Sequence, residues 1–103
     1  MTNTNVTVIM AFDTNNDYNQ LSQAEKFQLV NSLTDMFGGV TLTEHFGGYR
    51  MDDGTNAVEY SYTLELFGVD NDKALTVFKD LASRNSQESI IYNGDFIYTN
   101  QKA

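Results

Sequence analysis

Residues 58–67, VEYSYTLELF, alternate without a break. Val58, Tyr60, Tyr62, Leu64 and Leu66 share one parity, and Glu59, Ser61, Thr63 and Glu65 share the other. A period of two sends these sets to opposite faces of a strand, so the chain must build a sheet with one apolar face and one polar face. Such a sheet needs an apolar layer against it, and two segments supply one. Ser22-Gln23-Ala24-Glu25 is a capping box, in which Ser22 caps the backbone N–H of Glu25 and Glu25 reaches back. The helix it opens runs to residue 37, with Leu29, Val30, Leu33, Met36 and Phe37 as its apolar stripe. Gly38-Gly39 then supplies the left-handed residue that ends a helix. Asp70-Asn71-Asp72 caps a second helix over 73–83, which turns Ala74, Leu75, Phe78, Leu81 and Ala82 inward.

The remaining strands follow from β-branched and apolar runs. Residues 6–12 read as a buried strand, 40–45 as a short one with Val40 and Leu42 on one side, and 89–92 as a last core strand. Asn93-Gly94-Asp95 predicts a hairpin turn into a terminal strand over 96–99. The order is βαββαβ with one strand added at the C-terminal end. This predicts an α+β chain, a ferredoxin-like sandwich forming a single domain over 1–103. No repeat, linker or low-complexity segment interrupts it.

Composition narrows the chemistry. There is no Cys and one His, His45, so neither a thiolate nor a histidine cluster exists to hold zinc or iron, and no metal site is expected. Asp13, Asn15 and Asp17 imitate the opening of a calcium loop, but Tyr18 stands where glycine is needed and Ala24 where a bidentate Glu belongs. No G-x-S-x-G elbow and no phosphate-binding Gly-Lys loop is present. The formal charge of -8, from 14 acids and 6 bases, disfavours a nucleic-acid backbone and suits a cationic ligand. No run approaches the ~20 apolar residues that would cross a bilayer, and the first residues lack the basic and apolar regions of a signal peptide. The expectation is a protein that stays in the cytoplasm and binds no membrane.

What remains for function is carboxylates, tyrosines and glycine backbone. Residues 46–59, FGGYRMDDGTNAVE, read as a glycine-rich turn between two strands, and Gln87-Glu88 opens the last core strand. Turn chemistry alone accounts for Gly47, Gly48, Asp52, Asp53 and Gly54. Yet carboxylates bind ribose diols and attract ammonium or sulfonium groups, a tyrosine ring faces a cation, and glycines let backbone N–H groups approach a substrate carboxylate. These parts suit a small cationic nucleoside better than an anionic one. On the ferredoxin-like plan, the 46–59 turn and the 87–88 segment converge within or between subunits, which gathers Tyr49, Arg50, Glu59, Gln87 and Glu88. Arg50 is expected to pair with a carboxylate, Asp52 or Asp53 or one across an interface.

The pattern Gly47-Gly48-Tyr49-Arg50, then Glu59, then Gln87-Glu88 with Ile91-Tyr92 after it, resembles the bacteriophage S-adenosylmethionine lyases, formerly called S-adenosylmethionine hydrolases. The resemblance covers residues 40–93, about half the chain. It implies a ferredoxin-like subunit in a trimer similar to the PII signalling proteins, with sites between subunits. It implies cleavage of S-adenosylmethionine to methylthioadenosine and homoserine lactone with no cofactor, in the cytoplasm of a bacterial host, as a counter to restriction. By residue, it implies Tyr49, Glu59 and Glu88 as catalytic and Gly47, Gly48 and Gln87 as substrate-binding. Glu59 would meet the polar nucleoside or sulfonium end, Glu88 the substrate ammonium, and Tyr49 the neighbourhood of the sulfonium.

Three alternatives accompany this reading. One is a lyase for a nucleotide conjugate of S-adenosylmethionine, which would need basic contacts for its phosphate. Another is an oligomeric regulator of the PII type that binds a small molecule and does not turn it over. The third is a non-enzymatic acidic protein that mimics DNA and blocks a defence enzyme. The acids here are scattered over loops, helices and strands with no run longer than two, which is a poor imitation of a phosphate row.

Overall fold

Val6, Val8 and Met10 bury one face of the first strand, β1 (Asn3–Met10), as the alternation requires. The computed structural model describes residues 3–99. Within it, β1 is followed by a short 3-10 turn, η1 (Asp17–Asn19), helix α1 (Gln23–Phe37), strands β2 (Thr41–Arg50) and β3 (Asn56–Asp70), helix α2 (Asn71–Arg84), and strands β4 (Ser89–Tyr92) and β5 (Asp95–Tyr98). The strands form one sheet in the order β2-β3-β1-β4-β5, and every neighbouring pair is antiparallel. Five strands and two helices in this arrangement match the expected ferredoxin-like plan with its added terminal strand.

The even-numbered residues of β3 sit where their parity predicts from Tyr62 to Leu66, whereas Tyr60 is half-buried and Val58, past the end of β1, is exposed. Tyr62, Leu64 and Leu66 are fully buried and join Val6, Val8, Phe78 and Ile90 in the core. The odd-numbered set, Glu59, Ser61, Thr63 and Glu65, lies on the other face and is half-buried. Helix α2 contributes Ala74, Phe78 and Ala82 to the core. Asp70 caps it by accepting from the backbone N–H groups of Asp72 (2.9 Å) and Lys73 (3.2 Å). The capping box of α1 is formed on both arms: Ser22 Oγ accepts from Glu25 N at 3.1 Å, and Glu25 Oε1 accepts from Ser22 N at 2.7 Å. At its other end Gly38 adopts a φ of 90°, the left-handed cap.

Three expectations need correction. The apolar stripe of α1 is shallower than its spacing suggests: Leu33 alone is buried, Leu29, Val30 and Phe37 are half-buried, and Met36 is exposed. Its C-terminal end is instead held by Lys73, which donates to Met36 O at 2.7 Å and lies over the Phe37 ring at 4.9 Å. Strand β3 does not stop at Phe67. Gly68 takes a φ of 67° and donates to Asn5 Oδ1 at 3.2 Å, so the chain absorbs an irregularity and pairs with β1 through Asp70. The segment 46–50, read as part of a turn, is strand.

That last difference shapes the molecule. Strands β2 and β3 pair from Thr41↔Glu65 out to Arg50↔Asn56, whereas β1 accompanies β3 only as far as Met10↔Tyr62. The outer pairs therefore project past the end of β1 as a two-stranded arm. Its turn is confined to residues 51–55, closed by Met51 N donating to Thr55 O at 2.7 Å and by Gly54 at a φ of 90°. Asn93 and Gly94 make the second hairpin turn as expected, both at positive φ. Among the described residues, no helix is long and apolar enough to cross a membrane.

Candidate active site

Glycine at position 47 looks like a turn residue until its partner strand is known. In the structure Gly47 lies directly opposite Glu59, Gly48 opposite Val58, and Tyr49 opposite Ala57. Residues directly opposite each other in an antiparallel pair share a face, so Gly47, Tyr49 and Glu59 all lie on the face turned away from the helices. Three of the expected site residues are thus brought together at the root of the arm. A Cβ added to Gly47 would meet nothing within 4 Å, so the face is open at this position, directly across the ladder from Glu59. Gly48 is different, since a Cβ there would meet Ala57 O at 3.0 Å.

Gln87 and Glu88 stand apart from this group. They precede β4, which pairs with β1 through Val8↔Tyr92 and Ile9↔Ile91. Both Glu88 and Glu59 lie past the C-terminal end of β1, hence at the same end of the sheet. Their strands flank β1 on either side, with backbones roughly 10 Å apart. Gln87 is engaged in the exit from α2: its N–H donates to Ala82 O (2.9 Å), its side chain donates to Asn85 O (3.1 Å), and its carbonyl accepts from Thr99 Oγ1 (2.6 Å). The side chains of Glu88 and Tyr49 are exposed and make no hydrogen bond or ion pair among the described residues. Arg50 does not take Asp52 or Asp53. It donates to Asn56 Oδ1 at 2.9 Å across the ladder, and Asp53 is occupied with Thr55 N and Oγ1.

Sequence reasoning passed over the groups that surround Glu59. Asn19 Nδ2 donates to Glu59 Oε1 at 3.3 Å. On the helix-facing side of the same two strands, Glu44 binds Lys26 Nζ at 2.9 Å and accepts from Tyr62 Oη at 2.7 Å and from Gln20 Nε2 at 3.3 Å. The donor from Lys26 holds the Glu44 carboxyl below the usual glutamate range, with Tyr62 and Gln20 adding to it against the opposing effect of burial. Burial pushes the Tyr62 hydroxyl up to about 12, and its bond to Glu44 contributes in the same direction. Beside this cluster the rings of Tyr18, Phe46 and Tyr60 form an edge-to-face and tilted series, with centroids 5.7 and 4.8 Å apart. One signal for Glu44 was present. It shares the parity of Val40 and Leu42, which marks a carboxylate placed on the core side of its strand.

The single chain offers shallow concavities elsewhere. A groove of about 310 Å³ runs between α1 and α2 over Leu29, Leu33, Met36, Val77 and Leu81, and another lies beside Phe37 and Phe67. Neither is lined by any of the six expected site residues. Among the described residues no group of three or more His, Cys, Asp or Glu is placed to hold a metal ion.

No protein-family model and no curated protein matches the chain. Solved structures do. A phage SAM lyase in complex with S-methyl-5'-thioadenosine superposes with a TM-score of 0.63 at 14% identity, over 87% of this chain and 78% of that one. A phage SAM lyase in its apo state superposes with a TM-score of 0.60 at 12% identity, over 95% and 82%. The likeness is one of fold. It falls on the same group of proteins that the Gly47–Arg50, Glu59 and Gln87-Glu88 pattern resembles.

Proposed function

We propose that the chain is a carbon–sulfur lyase that cleaves S-adenosylmethionine to methylthioadenosine and homoserine lactone. The observation that carries this reading is the placement of Glu59 opposite Gly47, with Tyr49 on the same face, on a backbone similar to that of phage SAM lyases. In the reaction the substrate's own carboxylate oxygen attacks the carbon next to the sulfonium. The carbon–sulfur bond breaks with its electron pair going to sulfur, so neutral methylthioadenosine leaves and the lactone keeps its ammonium group. No protein nucleophile is required, and no cofactor enters the balance. The protein's work is to fold the methionyl tail onto itself, a proximity effect that reaches ~7–11 kcal/mol for well-aligned intramolecular reactions.

Charge decides the roles. Attack brings a carboxylate and a sulfonium together and cancels both, so a protein anion beside the sulfur would favour the ground state over the transition state. Glu59 is therefore better used on the polar nucleoside end, where the ribose diol keeps its hydrogen bonds throughout. Glu88 is assigned to the substrate ammonium, whose charge also persists. Tyr49 offers an aromatic face near the sulfonium without a full negative charge. Gly47 leaves room for the substrate against the ladder, Gly48 beside it lies on the other face of the strand, and Gln87 holds the segment that presents Glu88. Glu59 and Glu88 are carried on separated strands, which favours a site completed between subunits, in the trimer that the family resemblance implies. A host-cell role in depleting the methyl donor, and so in countering restriction, follows from the same resemblance.

The test is direct. Purified protein incubated with S-adenosylmethionine should give methylthioadenosine and homoserine lactone by chromatography and mass spectrometry. Glu59→Gln and Glu88→Gln should each lower kcat/KM by about 100-fold while leaving assembly intact, the loss expected for a hydrogen-bonded charge contact. Full turnover in both variants would remove these carboxylates from the site. The absence of any product, together with no thermal stabilisation by methylthioadenosine, would sink the lyase reading itself.

A further inference from the structure

Four consecutive residues, 18–21, are each fastened to the β2–β3 hairpin by a different interaction. The Tyr18 ring meets the Phe46 ring edge-on at 5.7 Å. Asn19 Nδ2 donates to Glu59 Oε1 at 3.3 Å, Gln20 Nε2 donates to both oxygens of Glu44 at 3.3 Å, and Leu21 N donates to Tyr62 Oη at 2.8 Å. We infer that this strap is a positioning device for the Glu59 carboxylate, and that Asn19 is the positioning residue through which it acts. The ligand named for Glu59 rests on the lyase reading, whereas the coupling of Asn19 to Glu59 does not.

The backbone explains why the residue is asparagine. Tyr18 and Asn19 have φ of 55° and 59°, the left-handed region that most side chains avoid and that asparagine tolerates best after glycine. Two such residues in a row persist only where the surroundings over-determine them, and the four fastenings do so. The orientation of the Asn19 amide is also fixed. Its Oδ1 accepts from Thr14 N at 3.1 Å, so the amide nitrogen is the end turned to Glu59. Thr14 is itself tied to the strap, since its Oγ1 donates to Gln20 O at 3.3 Å. With Oε1 engaged, Glu59 is held from rotating about its terminal bond and its second oxygen is left for a ligand hydroxyl. A separation of 3.3 Å is long for this bond, and contacts of this kind shorten when substrate fills a site.

A residue that merely holds the loop and one that acts through Glu59 give different results in a double-mutant cycle. Asn19→Gly keeps the left-handed backbone available and removes the amide. It should leave Tm within a few degrees of the parent and weaken methylthioadenosine binding by about tenfold, the loss expected for one donor to a carboxylate. In a Glu59→Gln background the same change should weaken binding no further. Asn19→Asp, which keeps the shape but turns the donor into an acceptor, should be worse than Asn19→Gly in the parent and equal to it in Glu59→Gln. Independent, multiplying losses in the two backgrounds would overturn the inference.

A second measurement needs no ligand. The Asn19 side-chain amide resonances should move across an acid-to-neutral pH series, and most of that movement should be lost in Glu59→Gln. Glu25 and Glu44 titrate close by, but they hold Asn16 and Gln20, not Asn19. If the parent protein neither binds methylthioadenosine nor cleaves S-adenosylmethionine, the lyase reading fails and this titration alone decides the inference. Asn19 resonances unchanged between the parent and Glu59→Gln across the titration would refute it.

Discussion

At the scale of single residues, Gly47 separates structure from function most cleanly. It has neither a positive φ nor a close neighbour, so nothing in the fold calls for glycine there. A glycine inside a strand weakens it, by roughly 0.5–1 kcal/mol relative to alanine. Gly47→Ala should therefore raise the unfolding free energy by about that amount, measured by urea denaturation. If substrate lies against the Gly47–Glu59 pair, the same variant should lose at least tenfold in kcat/KM for S-adenosylmethionine, since a methyl group there occupies ligand space. A more stable variant with unchanged turnover would show that the substrate goes elsewhere. Gly48 cannot serve for this test, because its added Cβ would press on the Ala57 carbonyl and confound stability with binding.

At the scale of elements, the long hairpin and the strap laid on it are the parts least visible in the sequence. The alternation of β3, the capping box, the Asp70 cap and the Asn93-Gly94 turn were legible because each is a local rule with a local cause. The outer half of β2 was not, because Gly47-Gly48 carries a turn signal that only the facing strand overrides. The Glu44 cluster was hidden for the same reason, being assembled from residues 20, 26, 44 and 62 on four separate elements or loops. Its presence makes a pH prediction. Glu44 titrates below its usual value, so its contribution to stability is present above the unfolded-state value of 4.5 and is lost as pH falls through the lower folded value. Tyr62 titrates near 12, so its contribution is full below 10 and lost as pH rises from 10 to 12. Glu44→Gln should flatten the acid limb of the stability profile, and Tyr62→Phe the alkaline limb. Glu44 and Lys26 are about a quarter exposed, so screening trims the pair to ~1 kcal/mol at neutral pH. An acid limb of undiminished slope in Glu44→Gln would mean that Glu25 and Asp53, also held low by their hydrogen bonds, carry it instead.

At the scale of the whole molecule, the two-stranded arm is the feature that asks for a neighbour. A hairpin without a third strand or a covering helix is marginal in water, yet the arm and its turn carry exposed Phe46, Tyr49, Met51 and Val58. The face of the sheet turned away from the helices also leaves Phe96 exposed. Apolar surface of this extent on a small chain is the mark of an interaction site, and a second copy of the chain is the occupant that would also complete a site split between Glu59 and Glu88. Assembly has to overcome electrostatics, since every subunit brings a formal charge of -8. Salt shortens the reach of that repulsion, from ~30 Å at 0.01 M to ~8 Å at 0.15 M. If the trimer proposed above is the assembly, light scattering should give three chains per particle at physiological ionic strength, with dissociation favoured on dilution into low salt. Turnover should fall in step with the trimer fraction, because a subunit alone presents its two carboxylates on separated strands. Replacing Val58 with Asp, on the arm but on the face opposite Glu59, should produce monomers with little activity. A monomer that retained full turnover would show that one chain closes the site by itself, and would leave the exposed arm to a partner of another kind.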